Sequence, residues 1–291
     1  MLLPVVNLSE DERRLKDVRL AHLVEDRFIG HVGEDCAVFE ALKKVAREGL
    51  RVLLIRGEGG PEIRGIVTLG SLLAAIVKGG EPLKETLRLP ITTAKIKAHK
   101  VKVYTTDTLL GLLGYIKRRW LGAIPLYSTN NEIVGILTYR KLYEYLRRTI
   151  DLTPVIASLS SRKYPELMVA PNTMVKTVIK KFIKYGQGPV IIHRRGKVLG
   201  VVTPLNLLRA LTDTDTMEKI EEGVDEYFLN APITTFASKN YPRFSLERLD
   251  MVKADEALRS HEFFLTVSAD RLTGLVTVMT VITEYAKGLN I

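Results

Sequence analysis

The segment QGPVIIHRRGKVLGVVTPLNLLRAL, residues 187–211, decides the fold. Two short apolar runs flank the polar residues 194–197, which is typical of a β-hairpin. The second run is nearly all apolar, so both faces of that strand are expected to be buried. After Thr203, leucines recur at helical spacing as far as Leu211. The segment therefore predicts a strand, a turn, a second strand and a helix that packs on the sheet.

The same pattern occurs four times along the 291 residues. Each copy has a Gly-apolar-apolar-Thr core on its second strand: Gly65–Thr68, Gly135–Thr138, Gly200–Thr203 and Gly274–Thr277. Upstream of each hairpin an amphipathic helix is expected, as in residues 174–183 of the third copy. Because the copies follow at regular intervals, we read them as structural repeats of the order strand, helix, strand, strand, helix.

This repeat resembles the CBS domain, and the resemblance extends over roughly residues 18–289. It implies an α/β (α+β) fold of four βαββα repeats that form two Bateman modules. We expect an N-terminal tail at residues 1–17, module 1 (repeats 1 and 2) at 18–150, and module 2 (repeats 3 and 4) at 151–291. The acidic stretch from Asp213 to Glu226 is expected to connect repeats 3 and 4.

Many CBS pairs bind adenine nucleotides, so the resemblance implies a candidate site at the family pattern Gly-apolar-apolar-Ser/Thr-x-x-Asp. The hydroxyl positions are present as Thr68, Thr138, Thr203 and Thr277. The Asp that would hold the ribose diol is replaced by Ser71, Lys141, Asn206 and Thr280. Ser71 and Asn206 can still accept a hydrogen bond, whereas Lys141 cannot. We therefore list Thr68, Ser71, Thr138, Thr203, Asn206 and Thr277 as candidate nucleotide-binding residues, and weak binding of AMP, ADP or ATP is expected.

The sequence contains no recognisable catalytic or metal-binding motif. The single cysteine, Cys36, has no partner, and the five histidines lack metal-ligand spacing. We therefore expect no enzyme activity, no catalytic residue, no metal and no resident cofactor. The N-terminus turns acidic at once and no long apolar run occurs, so we expect a cytoplasmic protein without a membrane partner. Abundant charge and a single glutamine suggest a thermophile.

The net charge of +10 lies wholly in the middle of the chain. Residues 84–197 carry 22 basic and 6 acidic groups, whereas the segments before and after have net charges of −1 and −5. Such a block is typical of a polyanion-binding surface, for which a solvated basic face is the alternative. The candidate RNA-binding residues are Lys95, Lys97, Lys100, Lys102, Lys117, Arg118, Arg119, Arg140, Lys141, Arg147, Arg148, Arg162, Lys163, Lys176, Lys180, Lys184, Arg194, Arg195 and Lys197.

Four repeats, altered ribose positions and a basic centre favour an RNA-binding scaffold. The chain is similar in architecture and charge to archaeal dual-Bateman proteins associated with ribosome dormancy (hibernation), which occupy the small ribosomal subunit. That resemblance implies binding to ribosomal RNA and regulation of translation by occlusion. The main alternative is a stand-alone adenine-nucleotide sensor, and a third is a DNA-binding regulator, for which no recognition element is visible. A homodimer is left open.

Overall fold

The computed structural model describes residues 9–25, 29–57, 60, 62–78, 82–94, 102–116, 123–186, 188–224 and 226–289. A short helix, α1 (Glu10–Leu15), precedes the repeats. The first repeat consists of β1 (Ile29–Gly33), α2 (Val38–Glu48), β2 (Val52–Arg56), β3 (Ile63–Thr68) and α3 (Leu69–Lys78). After α4 (Leu83–Arg88), the second repeat consists of β4 (Val103–Tyr104), α5 (Leu109–Ile116), β5 (Ile124–Tyr127), β6 (Ile133–Leu137) and α6 (Tyr139–Thr149).

The second half of the chain repeats this order. After α7 (Thr153–Leu159), the third repeat consists of β7 (Met168–Val169), α8 (Val175–Tyr185), β8 (Val190–Arg194), β9 (Lys197–Val202) and α9 (Pro204–Leu211). After α10 (Thr214–Glu221) and α11 (Glu226–Leu229), the fourth repeat consists of β10 (Arg243–Ser245), α12 (Met251–His261), β11 (Phe263–Ser268), β12 (Arg271–Thr277) and α13 (Val278–Gly288). The predicted fold of four βαββα repeats is confirmed.

The strands of the described residues form three sheets. In each repeat the first strand pairs in parallel with the second, and the second pairs antiparallel with the third. The sheets of the first two repeats are β1-β2-β3 and β4-β5-β6, whereas those of the last two join as β10-β11-β12-β9-β8-β7. The join is the pairing of Arg271 with Lys197 at the tips of two hairpins. The second half of the chain therefore contains a continuous six-stranded sheet.

In the second half of the chain, the segment that precedes each repeat packs on the sheet of the other repeat. Before the fourth repeat, Ser238 exchanges two backbone hydrogen bonds with Val201 of the third, at 2.8 and 3.0 Å. Before the third repeat, the backbone at residues 160–162 packs on β12 of the fourth. A Cβ atom on Gly274 would collide with the carbonyl oxygen of Ser160 there. The glycine of the repeated motif is needed because another backbone approaches this closely.

The hydrophobic cores join the two halves of the chain. One core packs α2 and α3 of the first repeat against α8 and α9 of the third, with Leu42, Leu72 and Phe182 inside it. The other packs α5 and α6 of the second repeat against α13 of the fourth, around residues such as Leu142 and Ile282. Since each core is shared in this way, the boundaries 18–150 and 151–291 stay a prediction.

Candidate functional site

A cavity of about 700 Å³ lies where the four repeats meet, and its wall includes residues from each of them. A space of this size is in the range of small-molecule sites. All six residues that the sequence predicted for a nucleotide line it: Thr68, Ser71, Thr138, Thr203, Asn206 and Thr277. Side chains from four separate stretches of sequence therefore face one space, which we call the central cavity.

The threonines stand at the starts of the four helices that end the repeats. Thr138, Thr203 and Thr277 are the N-cap residues of α6, α9 and α13, and Thr68 directly precedes α3. Each hydroxyl oxygen accepts a hydrogen bond from the backbone N–H three residues later, at 3.0–3.3 Å. Such a cap contributes about 1 kcal/mol to stability. The threonines therefore have a structural role beside any contact with a ligand.

The residue three positions after each threonine is the one that the family pattern assigns to the ribose. In three repeats this residue adds a second hydrogen bond to the helix cap. Ser71, Asn206 and Thr280 each accept a hydrogen bond from the backbone N–H of the threonine, at 2.8, 3.0 and 2.9 Å. The two bonds are reciprocal, as in a capping box. The oxygens of these three residues therefore already have a partner within the chain.

The second repeat is different because Lys141 has no acceptor with which to complete the cap. The hydroxyl of Thr138 instead donates to Oε2 of Glu25 at 2.7 Å. Glu25 is only 7% exposed, and its backbone N–H donates to the carbonyl of Ile136 at 2.7 Å. A carboxylate from the segment before the first repeat thus lies at the start of α6.

Four helix N-termini converge on the central cavity, those of α3, α6, α9 and α13. The aligned peptide dipoles place about half a positive charge at each N-terminus, together with backbone N–H groups that lack partners within the helix. Both effects favour an anion. The cavity therefore suits a ligand that carries phosphate.

Two of the arginines in the wall are paired with carboxylates. Nη1 of Arg51, in the first repeat, lies 2.7 Å from Oε2 of Glu262, in the fourth. Nε of Arg140 lies 3.1 Å from Oε1 of Glu144. Burial raises the pKa of Glu262, although Arg51 and Arg140 oppose the rise. Burial therefore shifts the carboxyl group of Glu262 toward its neutral form.

The cavity also has two cations without such partners. Lys184, at the end of α8, and Arg209, on α9, form no ion pair with any carboxylate among the described residues. Nζ of Lys184 lies 5.0 Å from the ring centroid of Tyr185, and Nε of Arg209 donates to the carbonyl of Ala46 at 3.3 Å. Their charges are therefore available to a bound anion.

A smaller cavity of about 250 Å³ adjoins the central one in the second half of the chain. Tyr164, Tyr185 and the apolar side chains of Leu167 and Leu275 line it. The two cavities share the wall residues Lys184, Gly188, Thr277 and Met279. A flat apolar group in the smaller cavity would therefore lie next to Lys184 and the N-terminus of α13.

The candidate RNA-binding residues do not share one role in the structure. Some of them pair within the chain: Arg140 with Glu144, Arg147 with Asp255, Arg162 with Glu284, Lys197 with Asp270 and Lys102 with Asn131. Others are exposed: Arg148, Lys163, Lys180, Arg194 and Arg195. Lys141 and Lys176 are half-buried, and Lys184 lines the central cavity. Lys95, Lys97, Lys100, Lys117, Arg118 and Arg119 lie outside the described residues.

Sequence reasoning missed four charged residues of the cavity wall: Glu25, Arg51, Arg209 and Glu262. Arg51 and Glu262 occupy the same place in their repeats, directly before the buried strands β2 and β11. A charged residue directly before a strand that begins with apolar residues was a signal that could have identified them. Glu25 and Arg209 offered no comparable signal, because they come together with the others only in the folded chain.

The described ranges contain neither a metal cluster nor a membrane-spanning helix. Within them, no group of three His, Cys, Asp or Glu side chains could hold a metal ion. Every described helix is too short or too polar to span a lipid bilayer.

Comparison with known proteins agrees with the fold. The CBS domain family model matches residues 22–78 and 156–213, which contain the first and third repeats. The crystal structure of protein MJ1225 from Methanocaldococcus jannaschii, proposed there as an archaeal homolog of g-AMPK, has a TM-score of 0.76 at 14% identity. It covers 92% of this chain and 100% of its own. An uncharacterized conserved protein from Pyrococcus horikoshii has a TM-score of 0.52 at 14% identity, covering 92% of this chain and 99% of its own.

No curated protein sequence matches the chain. The family model and the repeat architecture nevertheless agree, because the two matched segments and the two other repeats have the same βαββα order. Residues 22–78 and 156–213 are thus each matched as a CBS domain, and the chain has four repeats of the same βαββα order.

Proposed function

We propose that this protein is a non-catalytic regulatory protein that senses an adenine nucleotide bound in the central cavity. The observation that carries the proposal is the meeting, in one cavity of about 700 Å³, of four helix N-termini with Lys184 and Arg209, which pair with no carboxylate in the described part of the chain. Phosphate is the group that such a combination recognises best. We infer that the phosphate belongs to an adenine nucleotide because the repeats resemble CBS pairs, many of which bind such nucleotides.

In this proposal the phosphate binds near Lys184 and Arg209, and the base enters the adjoining smaller cavity. The rings of Tyr164 and Tyr185 offer flat apolar surfaces there, beside Leu167 and Leu275. Lys184 stands in the wall between the two spaces, where it can reach a phosphate attached to a nucleoside. A nucleotide bound in the cavity would contact both halves of the chain, because residues of both halves form the wall.

The test is a calorimetric titration of AMP, ADP and ATP into the wild-type protein and two lysine variants. Lys184→Ala removes a cation of the cavity wall, and we expect affinity to fall by roughly tenfold, as for loss of one charge-assisted hydrogen bond. Lys180→Ala, one turn earlier on the exposed face of α8, is the matched control and should bind as the wild type does. No heat of binding with any of the nucleotides, or equal losses in both variants, would overturn the proposal.

RNA binding, which the charge distribution favoured, stays a hypothesis from the sequence. Several of the basic residues on which it rests pair with carboxylates of the chain, among them Arg147 and Arg162. The charge available to a polyanion is therefore smaller than the net charge of the segment indicates.

A further inference from the structure

The hairpins of the third and fourth repeats meet tip to tip where the six-stranded sheet is joined. Lys197 pairs with Arg271 at this point. A Cβ atom on Gly196 would lie 3.9 Å from Cγ of Arg271, so the two turns are in direct contact. Residues 194–197 and 269–271 therefore form one continuous surface, which we call the tip surface.

The tip surface has an excess of positive charge. Its charged side chains are all exposed, and they comprise four cations and one carboxylate: Arg194, Arg195, Lys197, Arg271 and Asp270. Lys197 lies 3.5 Å from Asp270, but an exposed pair of this kind holds its charges only weakly. The three arginines form no ion pair with a carboxylate in the described ranges. Their charges are therefore available to an anionic partner outside the central cavity, which none of these residues lines.

The hairpin fold does not require cations at these positions. The residue three positions before the motif glycine is Lys197 in the third repeat and Arg271 in the fourth, whereas it is Glu132 in the second and Glu62 in the first. All four hairpins nevertheless pair their strands antiparallel, with a register shift at the same place. Since the same hairpin forms with either sign of charge, the positive charge of the last two repeats has a cause other than folding.

Arg195 adopts a backbone conformation that arginine rarely takes. Its φ is 51° and that of Gly196 is 84°, which together give the two-residue turn that favours Asn-Gly. The second repeat has Asn131 in the left-handed conformation of its own hairpin, with φ of 64°. A left-handed residue other than Gly or Asn is energetically costly, and such costs are typically retained at functional sites. An arginine is thus kept where asparagine would be accommodated more easily, which favours a role for its charge.

A nucleic acid fits the tip surface better than a protein or a lipid bilayer does. Interfaces between proteins depend on buried aromatic and apolar anchors, and membrane-bound surfaces insert apolar groups. Large apolar side chains that are exposed in the described ranges all lie outside the tip surface: Leu89, Val134, Met174, Val224, Tyr227 and Val252. Interfaces with nucleic acids are instead polar and strongly positive.

We propose that the tip surface binds the phosphodiester backbone of a nucleic acid, with Arg194, Arg195 and Arg271 each contacting phosphate. Both repeats contribute, although Arg271 belongs to the part of the sequence after residue 197, where acidic groups outnumber basic ones. Contacts to phosphate position a protein on the strand without reading its sequence. The surface is separate from the central cavity, so this inference does not depend on nucleotide binding.

Fluorescence anisotropy with labelled oligonucleotides tests the proposal on the full chain. Affinities for single-stranded RNA, an RNA hairpin and duplex DNA are measured over a salt series for the wild type, the double variant Arg194→Ala/Arg195→Ala and Arg271→Ala. Arg64→Ala is the matched control, because it removes an exposed arginine from the hairpin of the first repeat. Arg271→Lys keeps the charge, and thermal unfolding checks that each variant is folded.

The affinity of the wild type should fall steeply with salt. For single-stranded RNA, the plot of log K against log salt should become shallower by about 0.7 in Arg271→Ala and by about 1.4 in the double variant, because each lost contact releases fewer counterions. Arg64→Ala and Arg271→Lys should keep the wild-type slope. Tighter binding of one oligonucleotide identifies the type of nucleic acid, and equal binding indicates recognition of the shared backbone.

Three results would overturn the inference. The first is the absence of binding to all three oligonucleotides at ~50 mM salt, where phosphate contacts are strong. The second is an unchanged slope in Arg271→Ala, which would show that the fourth repeat does not take part. The third is an equal change in Arg64→Ala, which would show that only the net charge of the protein matters.

Discussion

Glu262 of the fourth repeat and Arg51 of the first form an ion pair of 2.7 Å in the wall of the central cavity. The pair connects the two halves of the chain, and its side chains are 24% and 35% exposed. Partial burial makes the carboxylate costly to ionise, so its pKa is raised in spite of the arginine. The contact therefore has a consequence for stability that can be measured as a function of pH.

The free energy of unfolding should depend on pH through Glu262. Because its pKa is higher in the folded protein than the ordinary value of 4.5, the folded state binds more protons between those two pKa values. The contribution of Glu262 to stability is therefore largest below pH 4.5 and declines as the pH rises through the folded pKa. Urea unfolding of the wild type and of Glu262→Gln at several pH values gives this contribution as their difference. A difference that grows with rising pH would contradict the assignment.

Restoring the acidic residue of the family pattern should strengthen nucleotide binding. In Asn206→Asp the carboxylate can still accept the backbone N–H of Thr203, which Asn206 now binds at 3.0 Å. It also offers a second acceptor to a ribose diol, and a charge-assisted hydrogen bond of this kind is expected to raise affinity by roughly tenfold or more. Calorimetry with AMP measures the change. Asn206→Ala is the control, and it should weaken helix capping without any gain in affinity.

The close crossing of two backbones at Gly274 should make this position intolerant of a side chain. The methyl group of Gly274→Ala would collide with the carbonyl of Ser160, and we expect the free energy of unfolding to fall by about 3 kcal/mol. Gly288→Ala is the matched control, because nothing lies within 4 Å of a Cβ atom there. Chemical denaturation of both variants is the measurement. Equal stabilities would show that the crossing is looser than described.

The RNA hypothesis makes a separate prediction for the hairpin between β8 and β9. Arg194 and Arg195 are exposed at this tip, and Arg195 adopts a left-handed turn conformation with φ of 51°. If ribosomal RNA is the partner, co-sedimentation with small ribosomal subunits should weaken about 10³-fold between ~50 and ~200 mM salt. Reversal of charge at Arg194, Arg195 and Lys197 should weaken it further at low salt. Wild-type protein that stays in the supernatant at low salt would end the hypothesis.

The repeat pattern was sufficient to predict the fold, because each Gly-apolar-apolar-Thr segment is a local signal with a local cause. The buried strands and the helices after Thr203 and Thr277 follow from apolar spacing alone. The same motif located the hydroxyls of the cavity. It did not reveal that Ser71 and Asn206 complete helix caps, because that depends on backbone geometry at the helix start.

The charged and polar contacts between distant parts of the chain could not be predicted from the sequence. Counting charges along the chain assigned Arg147 to a polyanion surface, whereas the fold places it against Asp255, with two hydrogen bonds of 2.8 Å. Asp255 lies 108 residues further along the chain, so no local pattern indicates the pair. Glu25 reaches Thr138 over a comparable separation of 113 residues. Contacts of this kind depend on how the repeats pack and not on the pattern within one repeat.

The position of a bound phosphate tests the central claim most directly. A crystal structure of the protein with AMP at saturating concentration would locate the phosphorus atom. We predict that the phosphate oxygens lie within about 3 Å of the side-chain nitrogen atoms of Lys184 and Arg209. A central cavity that stays empty under these conditions, or a phosphate bound away from both Lys184 and Arg209, would contradict the account.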